Sequence, residues 1–282
     1  MSSIKPLSHA ALKHWGLIAS PFRADDPMSV SRSDCAPSTQ ADFYFRSPPH
    51  ARLMSWLRSE LIQLENRAFE KPSEPRVLLL RSQIGSGAST AVRQFSDTRG
   101  IDRVALETRM IKWGNETVEQ IGSELVTDLK CDDALLFVYV HAFRLSQAQA
   151  FQRWVTRQSS SVGSFVVLFR IEDHAGSPHV DRWLPSFRLP SFRLTRTDPR
   201  DMVRCVRLAL HHAGATAPIL TKPAITALVR MTDGSYRDLA AQTHSVLSWS
   251  HAHRFDVIGE RVIAQYRAYF QKPIEARSRR AA

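Results

Sequence analysis

The sequence predicts an α/β fold built on a parallel sheet and followed by an all-helical domain. Three observations carry this. From Arg76 onward, strand-like apolar runs alternate with helical ones, the pattern of a parallel sheet covered by helices. One of the turns between them, in RVLLLRSQIGSGASTAVRQF (76–95), is rich in glycine and serine. After Thr197 the alternation stops and only helical segments follow.

The strands are RVLLL (76–80), RVALE (103–107), ALLFVYV (134–140), SFVVLF (164–169) and FRLTR (192–196). Their near-continuous apolar runs suit strands buried on both faces. Helices are expected after the glycine turn, at 115–129 with Asn115 as N-cap, and at 146–158 with Ser146 as N-cap. Ahead of the first strand, Leu53, Leu57, Leu61 and Leu64, with Trp56, recur at helical spacing. Beyond Thr197, DPRDMVRCVRLALHHAG, TKPAITALVRMTDG, SYRDLAAQTHSVLSWSHAH and DVIGERVIAQYRAYF all read as helices. Asp198 followed by Pro199 caps the first of them, and Gly214 and Gly234 suit helix ends. The expected organisation is an N-terminal segment (1–50) with a polar loop at 23–40, an α/β domain (51–197), a helical domain (198–272) and a basic tail (273–282).

The chain is long enough for a sizeable core. Its formal charge of +11 and isoelectric point near 10.1 point to a polyanionic partner such as nucleic acid, or to an acidic membrane surface. Arginine accounts for 31 of the 38 basic residues and suits bidentate phosphate contact. Cys35, Cys131 and Cys205 are odd in number and lack metal-ligand spacing, which argues against a disulfide framework or a zinc site and for a reducing compartment. No stretch has the apolar core of a signal peptide, or the roughly eighteen apolar residues of a membrane span. A cytoplasmic protein is expected.

The glycine turn lies close to a phosphate-binding loop, G-x-x-x-x-G-K-[ST], in which backbone N–H groups cradle phosphates, lysine reaches them and a hydroxyl serves magnesium. Here the first glycine is Ser82, and Gly85, Ser86 and Gly87 form the turn. Ala88 stands where the lysine belongs, and the hydroxyl position is Ser89, followed by Thr90.

The order of motifs resembles the AAA+ ATPases of the ExeA-like secretion and transposition-regulator (TniB- and MuB-like) group. Their opening W-G-L-x-x-x-P-F is matched by Trp15-Gly16-Leu17 through Pro21-Phe22. Their F/Y-x-S-x-x-H step is matched by Phe45, Ser47 and His50. The resemblance spans roughly residues 12–270 and implies a P-loop AAA+-like parallel sheet flanked by helices, with the helical domain as a small lid. It also implies an acidic strand end that positions magnesium and polarises water. Val140 and His141 occupy those places, while Ala142, Leu145 and Ser146 keep the register. Arg170, Glu172 and Asp173 lie near the end of the sensor strand without a clear equivalent, and Arg237 matches the lid arginine that reaches back to the nucleotide.

With lysine, aspartate and glutamate all replaced, the resemblance implies a module that no longer hydrolyses ATP. No catalytic residue, metal or obligatory cofactor is expected, though a backbone nest from Gly85 to Ser89 is compatible with weak ATP or ADP binding. Arg81 and Arg93 are candidates to replace the lysine. The family's DNA contacts fall in ETRMIKWGNETVEQIG, whose turn-like composition exposes Arg109, Lys112 and Trp113. Candidate interface fingers are Arg182, Arg188 and Arg193. The implied role is an adaptor for an active AAA+ subunit or a transposase-type complex, with DNA and oligomerisation compatible and no membrane. The alternatives are an accessory component of a secretion or envelope-assembly machine, which in the family carries a further membrane segment, and an atypical active ATPase.

Overall fold

The computed structural model describes residues 7–22, 45–68, 76–97, 105–112, 117–122, 134–141, 149–151, 153–154, 157, 165–172 and 189–271. The chain divides into two compact units. One comprises 48–195; the other is assembled from both ends of the chain, 1–47 with 196–282.

The first unit is an α/β layer structure. Helix α2 (Pro48–Ala68) opens with two prolines, which suit a first turn whose N–H groups have no helical partner. Strands β1 (Arg76–Ser82), β2 (Ala105–Lys112), β3 (Ala134–His141), β4 (Phe165–Glu172) and β5 (Ser191–Leu194) form one sheet in the order β2-β3-β4-β1-β5. Every pairing is parallel, and the five strands fall on the five apolar runs. Side chains alternate across the sheet. On one face Val77, Leu79, Val138, Val140, Val167, Phe169 and Ile171 pack with Ile121 and Phe151, which lie in the helical stretches 118–122 and 149–151. On the other, Phe137 meets Phe95 of helix α3 (Ala88–Asp97) with ring centroids 6.1 Å apart, and Trp56 of α2 stacks on Phe192 of β5 at 5.4 Å. Leu53, Leu57 and Leu61 are fully buried, as their spacing predicts.

Two expectations about the first unit are corrected. The helix expected from Asn115 begins after Thr117, because Thr117 and Gln120 cap one another. The Gln120 side chain accepts from the Thr117 amide at 2.8 Å, and the Thr117 hydroxyl accepts from the Gln120 amide at 3.2 Å, a reciprocal capping box that fixes the start. The segment holding Arg109 and Lys112 is also no turn. It belongs to β2, paired with β3 through Lys112 opposite His141. An edge strand tolerates such charges, and ladder pairing outweighs polar composition. Asn115, Ser146, the loop 23–40 and the tail 273–282 lie outside the described residues.

The second unit is helical. It contains α1 (His9–His14), α4 (Pro199–His212), α5 (Lys222–Arg230), α6 (Tyr236–Ala252) and α7 (Glu260–Gln271). Side chains of Asp198, Thr221 and Ser235 cap α4, α5 and α6. A parallel bridge between Leu220 and Ile258 ties the approach of α5 to that of α7. Trp15 and Leu17 are buried in the same core as Met202, Leu228, Leu239 and Leu247. The Trp15 indole donates to the Leu247 carbonyl at 3.1 Å, the His14 ring nitrogen Nε2 bonds the Phe255 carbonyl at 2.9 Å, and the Ile18 amide donates to Ala213 at 2.8 Å. The W-G-L segment is therefore a clamp on these helices. Burial pushes the Cys205 thiol up to about 12 and the Tyr236 phenol also to about 12. Among the described residues no helix is long and apolar enough to cross a membrane.

Trp15→Ala removes a large buried ring together with its hydrogen bond to the Leu247 carbonyl, and is expected to cost the helical unit about 3–5 kcal/mol. Urea unfolding followed by circular dichroism checks this; a loss below about 1 kcal/mol would mean that the clamp is not structural.

Candidate functional site

At the carboxyl end of β1 the chain passes through Gln83–Gly87 into α3. Order in the sheet reverses about β1, since β4 flanks it on one side and β5 on the other, and ligands of open parallel sheets bind at such a switch point. Gly85 and Gly87 have φ of 76° and 78°, a conformation that only glycine adopts cheaply. The Ser86 amide closes a turn on the Gln83 carbonyl at 3.2 Å, and the Ala91 amide on Gly87 at 2.9 Å opens the helix. A turn of this kind, leading into a helix N-terminus, is how backbone amides are arranged to receive an anion. Ala88 is buried at 2% exposure, Ser89 is half-buried and Thr90 exposed.

Side chains of the same unit hold this loop from behind. Buried His50 donates from Nε2 to the Ser86 carbonyl at 2.8 Å, which fixes its tautomer because a carbonyl can only accept. The histidine of the F/Y-x-S-x-x-H step is thus a support for the loop. Buried Arg170 donates from Nε to the Ser82 hydroxyl at 2.7 Å and from Nη2 to the Gln83 carbonyl at 3.3 Å, with the Glu172 carboxylate 3.8 Å away. The hydroxyls of Ser89 and Tyr139 share a hydrogen bond of 3.1 Å. Burial raises the Tyr139 phenol above its ordinary 10, while the Arg170 charge and the hydrogen bonds from Ser89 and Arg170 pull the other way. Tyr139 is accordingly the neutral phenol at physiological pH.

Val140 is fully buried among Val138, Phe151 and Phe169 on the sheet face opposite Ser89. The side chain that meets Ser89 is that of Tyr139. His141 ends β3 in ladder register with Lys112 on one side and Arg170 on the other. The side chains of Arg109, Lys112 and His141 lie outside the described residues, as do Trp113, Asp173, Arg182 and Arg188. Arg193 is exposed on β5 opposite buried Arg81 in the ladder, and Arg93 is half-buried on α3. Arg237 is exposed in the first turn of α6, in the helical unit.

Two partners of the loop lie outside the motifs, Tyr139 next to Val140 and Arg170 on the sensor strand, and each leaves a mark in the sequence. A tyrosine interrupts an aliphatic strand, and an arginine sits inside an apolar one. These groups can hold a loop in an anion-receiving shape, but beside the Ser89 hydroxyl they set a phenol and a guanidinium. Magnesium wants carboxylate and water oxygens, and the described partner of the Ser89 hydroxyl, a neutral phenol, does not fit the ion.

Tyr139→Phe deletes a hydroxyl that Ser89 and Arg170 both use. Leaving a buried charged donor short of a partner is expected to cost about 1–3 kcal/mol, read as a fall in the urea midpoint without a change in slope. An unchanged midpoint would show that the phenol carries no weight in the network.

No family model matches the chain, and no curated protein does. Solved structures do. Drosophila ORC bound to DNA is similar with a TM-score of 0.57 at 11% identity, over 90% of this chain and 68% of that one. The Aeropyrum pernix ORC2 protein in its ADP form gives a TM-score of 0.58 at 13% identity, over 80% and 69%. The Thermotoga maritima RuvB Holliday junction branch migration motor gives 0.51 at 12% identity, over 76% and 68%. Likeness at this identity speaks to fold and not to activity. The parallel sheet, the glycine loop at its switch point and these neighbours together give the chain an α/β fold of the AAA+ type.

Proposed function

We propose that this chain is a non-hydrolysing AAA+-like adaptor that works through protein contacts in a DNA-associated assembly, alongside an active AAA+ subunit or a transposase-type machine. The observation that carries the proposal is the pairing of Ser89 with Tyr139. In a hydrolysing P-loop that hydroxyl serves magnesium, a lysine stands beside it, and a carboxylate orients the metal and water. Here Ala88 fills the lysine position with a buried methyl, and the strand end opposite Ser89 presents a neutral phenol. The described supports of the loop are meanwhile in place. Retaining a loop supported by His50 and Arg170 while replacing the chemistry suits a subunit kept for its shape.

The DNA part is supported by the formal charge of +11, dominated by arginine, and by likeness to ORC bound to DNA and to the RuvB Holliday junction branch migration motor. Polyanion attraction of this kind is sequence-independent and falls with salt. Arg109, Lys112 and Trp113 remain the proposed contacts, now with the first two on an edge strand. Any weak ATP or ADP binding would be an accessory to the adaptor role.

Two measurements test this. Phosphate release from ATP with magnesium is expected to stay at the level of buffer, and release that Gly87→Asp abolishes would restore an active ATPase. Filter binding to duplex and single-stranded DNA is expected to be detectable at low salt and to fall about tenfold or more between roughly 50 and 200 mM, the drop expected for only a couple of neutralised phosphates. No retention at low salt would remove DNA from the proposal and leave only protein partners.

A further inference from the structure

We propose that the outer face of helix α4 is a DNA-binding surface, on which Arg200, Arg204, Arg207 and His211 form a line that takes the phosphate backbone of a duplex. The inference rests on the DNA part of the reading above and adds a contact in the helical unit, apart from Arg109 and Lys112 of β2.

The line follows from helical geometry. At about 100° per residue the four positions fall within roughly 60° of one another and run about 16 Å along the axis. All four side chains are exposed. Met202, Cys205, Val206, Ala209 and Leu210 are buried, so the basic line occupies the side of α4 turned away from its core.

Solvent-facing helix stripes ordinarily mix charges, because residues three and four apart attract when opposite and repel when alike. Here each step along the line, 200 to 204, 204 to 207 and 207 to 211, joins two basic side chains. Among the described residues none of the four takes part in an ion pair. Arg196, in the same unit, does so with Asp233 at 2.6 Å. The carboxylates nearest in sequence are engaged elsewhere. Asp198 accepts from the Arg200 amide at 2.7 Å as the helix cap, and half-buried Asp201 lies close enough to Tyr236 of α6 to act on its phenol. The helix dipole favours His211 in the last turn but disfavours Arg200 in the first. Helix stability therefore does not account for the line, and an external anion does.

The chemistry selects a densely charged polymer. Duplex DNA carries about one negative charge per 1.7 Å of its axis, so a line of donors about 16 Å long meets phosphates along its whole length. A guanidinium fork bonds phosphate oxygens bidentately, and an imidazole N–H donates to them in either charge state. A protein partner would be held by aromatic or aliphatic anchors at the centre of its contact. The exposed apolar side chain on α4 is Leu208, at 42%, and it borders the line. Backbone contacts carry no base information, so the binding is independent of sequence.

Fluorescence anisotropy of the full chain with a labelled duplex, repeated across a salt series, tests the proposal. Replacing all three arginines by glutamine (Arg200→Gln, Arg204→Gln, Arg207→Gln) is expected to weaken binding at least about tenfold at low salt. The slope of log affinity against log salt should fall by about 2 to 3, roughly one for each lost phosphate contact. Replacing the same three by lysine should keep the slope. Leu208→Glu, which leaves every arginine in place, is expected to weaken binding about threefold or more by setting a carboxylate beside the phosphates, and it decides the matter where the glutamine variant does not fold. An unchanged slope in a glutamine variant with native circular dichroism, or a slope lost equally in the lysine variant, would overturn the assignment. So would poly-glutamate binding that depends on the three arginines while duplex binding does not, since the line would then serve an acidic protein. Duplex binding lost only in an Arg109→Gln, Lys112→Gln variant would overturn this inference and leave the DNA reading intact, whereas no duplex binding by the native chain would overturn both.

Discussion

A guanidinium buried at the carboxyl end of a parallel sheet must be met by acceptors, because an ion taken out of water without partners costs several kcal/mol. Arg170 meets that condition with the Ser82 hydroxyl, the Gln83 carbonyl and the nearby Glu172 carboxylate. One of these acceptors is the last residue of β1 and another opens the turn that follows it, so satisfying the arginine and shaping the loop are the same event. His50 repeats the device from α2 by donating to the next carbonyl but two, that of Ser86. The loop thereby acquires its form from inside its own unit. The glycines at 85 and 87 supply the backbone freedom, and the side chains behind select one conformation from it.

The same economy explains why Tyr139 and Ala88 belong together. A lysine at position 88 would add a cation to a loop that Arg170 already supports, and like charges in a dry site repel. An aspartate at 139 would pair with Arg170 and draw it away from the loop carbonyl. A phenol accepts from the guanidinium and still reaches Ser89, keeping both groups in place without adding charge. The replacements along this strand end form a compatible set, in which each residue suits the others.

The fold was legible from residue patterns because its strands are buried on both faces and read as unbroken apolar runs, such as RVLLL and ALLFVYV. The helices after Thr197 announce themselves by caps, with Asp198 before Pro199 the plainest. The site was legible only in part. The glycine turn is local, so Gly85 to Ser89 could be found by inspection. Tyr139 could not be assigned, because motif register placed Val140 at the key position while strand alternation turns Val140 to the opposite face. Arg170 was hidden by its charge, which ended the apolar run at Phe169 although the ladder continues to Glu172. Arg109 and Lys112 failed in the converse way, since polar composition suggested a turn where an edge strand forms. In each case the deciding information is a partner on another strand, far away in sequence.

The clamp made by Trp15 has a bearing on how the chain comes to be folded. Its indole bonds a carbonyl 232 positions later, so synthesis from the N-terminus delivers the apolar Trp15 and Leu17 long before the helices that cover them. Units built from a contiguous stretch can form as they emerge, and the sheet unit, 48–195, is one of these. The helical unit has to wait for α7 and then pair it with residues made at the other end of its sequence. Interactions of such separation form late and slowly, which makes the opening residues the part of this molecule most in need of shelter during its own production.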